Sequence, residues 1–482
     1  MIKCIVDEII DIITLDGILT SLENELKRKM YKCIDIKKED IIKLGKCIRN
    51  KNKKLYKDSK IRKKMGNMLK LMKFREKQEK YWEDNTINNT HNIITDQLYS
   101  LEFLSKREKL LFDSSFGDIL KNKVKKIYGG ENHTFIILQD NTILCNGSNG
   151  FGQLGLHNFE KELTANLFQY FSTKNKTLSE KLKKISCGYA YTMFLTKDGN
   201  VYSCGAGENG RTGINSIQNI CIPQLINFKK GIKIIDMQCG SVMSIFLTNN
   251  GDVYSCGQKC YNGISLEDIL IPTKINIPEK IISISVGNGG YHTTALTFNG
   301  EIYVWGHNRV CQLGLSNEQI FNMCDSLDYI YIGSNNEVLK DEKGLTILIK
   351  PIKINLPFIV KKISSGWGHT LLLSFENKIY CSGRGNEKQL GILKTKLKIK
   401  VGGENNGGDR YYLDEFTEIP FFKNLNVLDI STSKCINVVK TTSGIYIFGD
   451  GYEGIEQILH DCHIYQVQLC EMENVEIISI LD

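Results

Sequence analysis

Three histidines, His133, His292 and His369, recur at one position of a repeating pattern, and sixteen cysteines are spread along the chain. Imidazoles and thiols are the groups that serve acid–base catalysis, nucleophilic attack and metal ligation. Their spacing argues for none of these. The histidine slot is filled in other copies by Tyr191, Met243 and Ile436, and one slot repeated in separate units does not converge on a common site. Each of these histidines is expected to hydrogen-bond the backbone of a neighbouring unit. Cys204 and Cys256 stand where other copies have Trp305 and Phe448, so they read as small packed apolar groups. Cys256 with Cys260, and His460, Cys462, His463 and Cys470, are the metal-like groups, and neither has the doubled spacing of a zinc site. No metal and no cofactor is expected. A phosphate loop ending in Lys-Ser/Thr, a nucleophile elbow and a paired-carboxylate motif are all missing from the text, so bond-making chemistry is not expected either.

The other chemistry on offer is electrostatic. Between Arg49 and Lys80 fourteen Lys or Arg face three acids, Asp58, Glu76 and Glu79; this excess of 11 exceeds the formal net charge of +8, so the rest of the chain is slightly acidic. Arg49, Lys51, Lys53, Lys54, Lys57, Lys60, Arg62, Lys63 and Lys64 could neutralise several phosphates of a nucleic acid, or meet an acidic protein. The same run also reads as a solvated helix face, and Arg62-Lys63-Lys64 suits a nuclear-localisation signal under either reading.

The elements that carry these groups follow from a repeat. Gly130 to Gly147, Gly188 to Gly205, Gly240 to Gly257, Gly289 to Gly306 and Gly366 to Gly383 are each 17 residues apart, and a sixth copy runs from Ser433 to Gly449. Each copy reads as a hairpin: Thr192–Thr196 and Val201–Cys204 flank Asp198-Gly199, with Asn250-Gly251, Asn299-Gly300 and Ser443-Gly444 in the same place. Such pairs predict two-residue type I′ turns. An apolar extended segment follows in most copies (Cys221 to Phe228, Ile271 to Ile277, Pro351 to Leu356, Ile419 to Leu425), which makes four strands per unit. The unit is about 50 residues, with insertions near 316–349 and 393–417. With 42 glycines against 6 prolines, tight glycine turns organise the chain. Radial repetition of four-stranded sheets predicts a mainly β fold, a β-propeller, over residues 109–482.

Ile185-Ser186-Cys187-Gly188 through Asp198-Gly199-Asn200-Val201-Tyr202-Ser203-Cys204-Gly205, with Asn209-Gly210-Arg211-Thr212-Gly213, resembles the repeat of the regulator of chromosome condensation family. Tyr291-His292-Thr293, Val304-Trp305-Gly306, Gln312-Leu313-Gly314, Gly368-His369-Thr370 and Gln389-Leu390-Gly391 are similar to it as well. The resemblance implies seven blades: six full repeats, and a split or incomplete closing blade made from residues 110–117 and 475–480. It also implies a macromolecular-interaction protein. One reading is a guanine-nucleotide exchange factor for a Ran-like small GTPase, or a chromatin-associated regulator; the alternative is a non-catalytic scaffold. Protein partners and a monomeric state go with that resemblance; the thinly spread cysteines, with no signal peptide and no window of about 18 uninterrupted apolar residues, point to a nuclear or cytoplasmic location, the nucleus favoured, and to no membrane association.

Residues 1–108 differ in texture. Ile9, Ile12, Leu15, Leu19, Leu22 and Leu26, and later Ile61, Met65, Met68, Leu69 and Met72, recur at helical spacing and predict a basic helical region. Residues 33–73 faintly resemble the N-terminal helical domain of transcription elongation factor IIS. Acidic residues interrupt the first 22 positions, so no membrane span is expected there.

Overall fold

The computed structural model describes residues 124–449, apart from 140, 161, 168–181, 288, 324–328, 333–337, 340–344 and 401–409, together with 464–466. The basic segment 49–64, the helical region 1–108 and the two pieces assigned to a closing blade all lie outside the described residues. Two compact units are present, Met1–Ile87 and Asn88–Asp482, and the second holds everything that follows.

Six antiparallel sheets follow one another along the chain. The first consists of Val124–Gly129, His133–Leu138, Ile143–Gly147 and Glu162–Leu167, and the second of Leu182–Cys187, Tyr191–Thr196, Val201–Gly205 and Ile220–Leu225. Ile234–Cys239, Met243–Thr248, Val253–Gly257 and Ile269–Lys274 make the third. The fourth is built on Ile281–Val286, His292–Thr297, Ile302–His307 and Leu345–Ile354, the fifth on Val360–Ser365, His369–Ser374, Ile379–Arg384 and Arg410–Glu418. Val427–Thr432, Ile436–Thr441, Gly444–Gly449 and Ile464–Gln466 complete the sixth. Six blades are thus described rather than the seven expected.

First strands line the axis, because those of successive blades pack on and bond to one another. Cys239 N–H donates to Ser186 Oγ at 3.0 Å, Ser365 N–H to Ser285 Oγ at 2.8 Å and Thr432 N–H to Ser364 Oγ at 2.9 Å. Second strands are buried at every position in the first five blades. Their aromatic and aliphatic side chains meet across the blade junctions: Phe135 packs edge-on against Phe194, ring centres 5.4 Å apart, within a cluster that includes Cys145, Ile185 and Cys204. Each such fully buried side chain contributes about 2 kcal/mol, so the blades are locked laterally by the same residues that form their own cores.

Three sequence expectations change on contact with the structure. The hairpin turns are not two-residue type I′ turns in most blades. Gly199 N–H bonds Thr196 O while Thr196 N–H bonds Asn200 O, which is a three-residue loop whose last residue takes a positive φ, 92° at Gly199. Asn141 and Asn377 take that left-handed position in the first and fifth blades. Secondly, Ile419–Leu425 is no strand: Pro420–Phe422 is a single 3-10 turn, since Pro420 has no N–H to give a ladder, and the outer strand is Arg410–Glu418. Thirdly, the glycine that lets the fourth blade approach the fifth is Gly287 rather than Gly289. The loop after the first strand is two residues longer here, Val286 pairing Thr293 where Cys187 pairs Thr192. A Cβ on Gly287 would lie 1.8 Å from Gly366 O.

The insertions enlarge two neighbouring sheets. Tyr329–Ile332 and Val338–Leu339 extend the fourth sheet to six strands, and Lys398–Lys400 extends the fifth to five.

Candidate functional site

Because the chain reverses at each strand, the loops after the first and third strands of every blade lie at one end of the propeller. The hairpin turns and the blade-to-blade connections lie at the other. Both insertions interrupt loops after third strands, so both belong to the first end, in blades four and five.

The repeat histidines sit just inside this end as an inter-blade relay. His133 Nε2 is 2.8 Å from Thr192 Oγ1 of the next blade, and Thr192 Oγ1 donates back to Gln153 O at 2.7 Å. His292 repeats this with Thr370 at 2.9 Å, and Thr370 returns to Gln312 O at 2.7 Å. His369 meets Asn437 Oδ1 at 2.7 Å, whose amide donates to Gln389 O at 2.6 Å. The expected backbone partner is therefore a side chain in these three copies. Only where Tyr191 replaces histidine does the slot reach the neighbour's backbone, at Met243 O, 2.5 Å. Burial depresses all three imidazoles, to about 3 for His133 and His292 and about 4 for His369. They are neutral and enclosed, and each bonds a side chain of the next blade, which suits joining blades rather than ligating a metal or moving protons; among the described residues no group of three or more His, Cys, Asp or Glu is placed to hold a metal ion.

The repeat glycines make these close approaches sterically feasible. Gly205 has φ 109°, and a Cβ there would stand 2.6 Å from Ala190 O. Gly130, Gly188, Gly240 and Gly366 lie where one blade's loop meets the next: a Cβ on Gly366 would be 2.1 Å from the His369 ring and 2.7 Å from Ser433 O. Gly147, Gly257, Gly306, Gly383 and Gly449 share the positive φ of Gly205. Burial raises the Cys239 thiol to about 12, although bonds to Ser186 and Tyr191 oppose the rise.

One cavity on the loop end, of about 370 Å³, lies between the fourth and fifth blades. Tyr291, His307, Arg309, Val310, Gln312, Trp367, Gly368, Arg384 and Arg410 line it. The longer loop after the fourth blade's first strand supplies Tyr291, and the equivalent loop of the fifth blade supplies Trp367. Arg384 stacks over the Trp367 ring, 5.0 Å from its centre, and its Nε donates to Glu387 at 2.7 and 3.0 Å. Burial disfavours the charged Glu387, but Arg384 and Gln389 outweigh it and hold the carboxyl below its ordinary range. Arg309 and Arg410 have no carboxylate partner among the described residues, and Arg309 Nε is buried without a hydrogen bond. Burial, and then the neighbouring guanidinium charges, pull Arg309 and Arg410 below the ordinary arginine range.

His307 is depressed to about 4, by burial first and then by Arg309 and Arg410. Gln312 Oε1 is occupied by Val310 N–H at 3.1 Å, so its amide nitrogen is the atom 2.9 Å from His307 Nδ1. The neutral ring therefore carries its proton on Nε2. None of these cavity residues was singled out as binding in the sequence. The available signal was composition: only nine of the 62 basic residues are arginine, and only four arginines follow residue 108. Three of those four line this cavity.

Comparison with known proteins agrees with the blade pattern. The regulator of chromosome condensation (RCC1) repeat matches residues 198–247 and 299–373, and a second profile of the same repeat matches 124–153, 182–211, 281–310 and 360–389. The chain belongs to the RCC1 repeat family. The sixth unit, Val427–Gly449, lies beyond the matched residues; it keeps the antiparallel pairing of second and third strands but joins them by a two-residue turn, Thr442-Ser443. Among relatives, the ultraviolet-B receptor UVR8 of Arabidopsis thaliana is 27% identical over 275 residues, 56% of this chain and 55% of that protein. The secretion-regulating guanine nucleotide exchange factor of Bos taurus is 29% identical over 156 residues, 32% of each. The chain thus spans about half the length of the first and a third of the second. Human WBSCR16 shares the fold, with a TM-score of 0.53 and 20% identity over 72% of this chain and 82% of that one.

Proposed function

We propose that this RCC1-repeat protein is a macromolecular-interaction propeller that binds a protein partner with its loop end and carries out no bond-making chemistry. The observation that carries this reading is the arginine- and aromatic-lined cavity between the two blades that also bear both insertions. Surfaces rich in arginine and aromatic side chains anchor protein interfaces, and the opposite end offers tight turns instead. Partner capture from native extract by the full chain tests it. W367A with R309E on the loop end should abolish capture, while K197E on the opposite end should leave it intact; equal loss from both ends would count against a single binding face.

Guanine-nucleotide exchange on a Ran-like small GTPase is a second reading, favoured by the similarity to the secretion-regulating exchange factor. Exchange factors act by stabilising the nucleotide-free partner, and this would need no catalytic side chain. Release of a fluorescent guanine nucleotide from Ran, unchanged by the protein, removes it. We place Arg49 to Lys64 in the same proposal as a contact for chromatin, nucleic acid or an acidic partner, with the nucleus as the site of action. Full-length protein compared with K53Q/K54Q/R62Q/K63Q/K64Q in salt-dependent DNA binding tests that part.

A further inference from the structure

We infer that the cavity between the fourth and fifth blades is a receptor for the phosphoryl group of a phosphorylated serine or threonine on an extended segment of the partner protein. The inference rests on the loop end being the binding face and names what that face recognises.

Charge is the first argument. Arg309, Arg384 and Arg410 bring three positive charges to one cavity, and Glu387, bound to Arg384, removes one. The neutral His307 adds none. Among the described residues a surplus of two is left, close to the roughly −1.5 to −2 of a phosphorylated side chain at neutral pH and about twice what a lone carboxylate supplies. Residue choice is the second. In a chain where lysine supplies most of the positive charge, no lysine lines this cavity. Guanidinium is the group that grips a phosphate through paired N–H bonds, and it sheds water more easily than ammonium.

Unmet demand is the third argument. Arg309 Nε has no partner, and like charges are held together at a cost that an anion would relieve. By contrast Arg384 is fixed in place by Glu387 and the Trp367 face, which preorganises one donor before any ligand arrives. Size and shape are the fourth. About 370 Å³ between Tyr291 and Trp367 admits one phosphorylated side chain with an apolar neighbour. It is a single recess, whereas a nucleic-acid strand calls for a track of cations that follows successive phosphates.

The test uses the full-length chain and fluorescein-labelled nine-residue peptide libraries with a central phosphothreonine or phosphoserine, alongside the same libraries unphosphorylated. Fluorescence anisotropy should show at least tenfold preference for the phosphorylated libraries. Arg309→Gln and Arg410→Gln should each weaken that binding about tenfold, with no loss of thermal stability, while Lys197→Gln leaves it unchanged. Inorganic phosphate at millimolar concentration should compete, and phosphatidylcholine vesicles carrying a phosphoinositide should bind no better than plain vesicles. Equal binding of phosphorylated and plain peptides, insensitivity to both arginine variants, or vesicle binding that matches the peptides would each overturn the inference. If partner capture survives phosphatase treatment yet is lost in W367A with R309E, the phosphate claim fails and the binding face stands. If capture ignores the loop-end substitutions, the face itself is wrong.

Discussion

Arginine stands in the loop after the third strand of both the second and the fourth blade, and the two residues have opposite fates. Arg211 is almost wholly buried, 4% exposed, and every branch is met: Nε donates to Glu208 O at 2.9 Å, Nη1 to Ser241 O of the next blade at 3.2 Å, and Nη2 to the Glu208 carboxylate at 2.8 Å. Arg309, three positions earlier in its loop, reaches the junction with the next blade and finds other arginines there. The second junction is a finished joint; the fourth is an open socket. One repeat geometry yields both: the loop after Val286 is two residues longer, and the loops after the third strands of blades four and five carry insertions, whereas blades two and three have neither. Where a family fold carries many functions, this difference between junctions is where recognition can be added without disturbing the ring.

The comparison is most exposed to removal of Arg211. Arg211→Met keeps the volume and deletes the charge, leaving Ser241 O without its donor and Glu208 O with only the long bond from the backbone N–H of residue 211, 3.4 Å. Buried groups orphaned in this way cost about 3 kcal/mol. A fall of that size in the urea-unfolding free energy is expected for Arg211→Met; no measurable loss would mean the second junction is not held by its arginine.

A middle-sized effect separates junctions that carry the histidine relay from the one closed by Tyr191. His133, His292 and His369 are held far below the ordinary imidazole range by burial. Above about pH 6.5 they are neutral in both folded and unfolded chains. As pH drops below that, the unfolded chain takes up protons that the folded one refuses, so stability is lost on acidification, down to about pH 4 at His369 and about pH 3 at the other two. Each histidine should account for about 2 kcal/mol of this loss between pH 6.5 and 5. His369→Gln, which bonds without titrating, should flatten the slope by one proton while Tyr191→Phe leaves it as it was. An unaltered slope in His369→Gln would refute the relay as a titrating element.

Glycine spacing made the blades legible in sequence, because the constraint is local. The residue at or just before each third-strand end must take a positive φ and sit beside the carbonyl that precedes the paired strand, and only glycine does both. What escaped was set by contacts distant in sequence. Ile419–Leu425 is as apolar as a strand, yet Phe422 is buried as a plug under the fifth and sixth blades, so hydrophobicity alone misassigned it. Gly289 matched the 17-residue spacing by sitting in an extended loop, while Gly287 makes the close approach. The cavity was harder still: its lining is drawn from residues 291 to 410 across two blades, and no window of sequence holds more than a fragment of it. The scarcity of arginine pointed there, but only the fold shows that three of them share one recess.

The smallest effect is the one that distinguishes a socket from a joint. If Arg309 and Arg410 were structural, as Arg211 is, neutralising either would lower stability. Both instead face like charge with no carboxylate partner among the described residues, and a half-buried charge without such a partner contributes little to holding the fold. Arg309→Gln or Arg410→Gln is therefore expected to leave the unfolding midpoint unchanged or raise it slightly, by up to about 0.5 kcal/mol, with the gain shrinking as salt is added. Added phosphate should stabilise the unsubstituted protein by occupying the cavity and do so less in either variant, because a ligand that binds only the folded state raises stability in proportion to its occupancy. A clear loss of stability on substituting Arg309 would make the fourth junction a joint like the second, and the contrast between them would disappear.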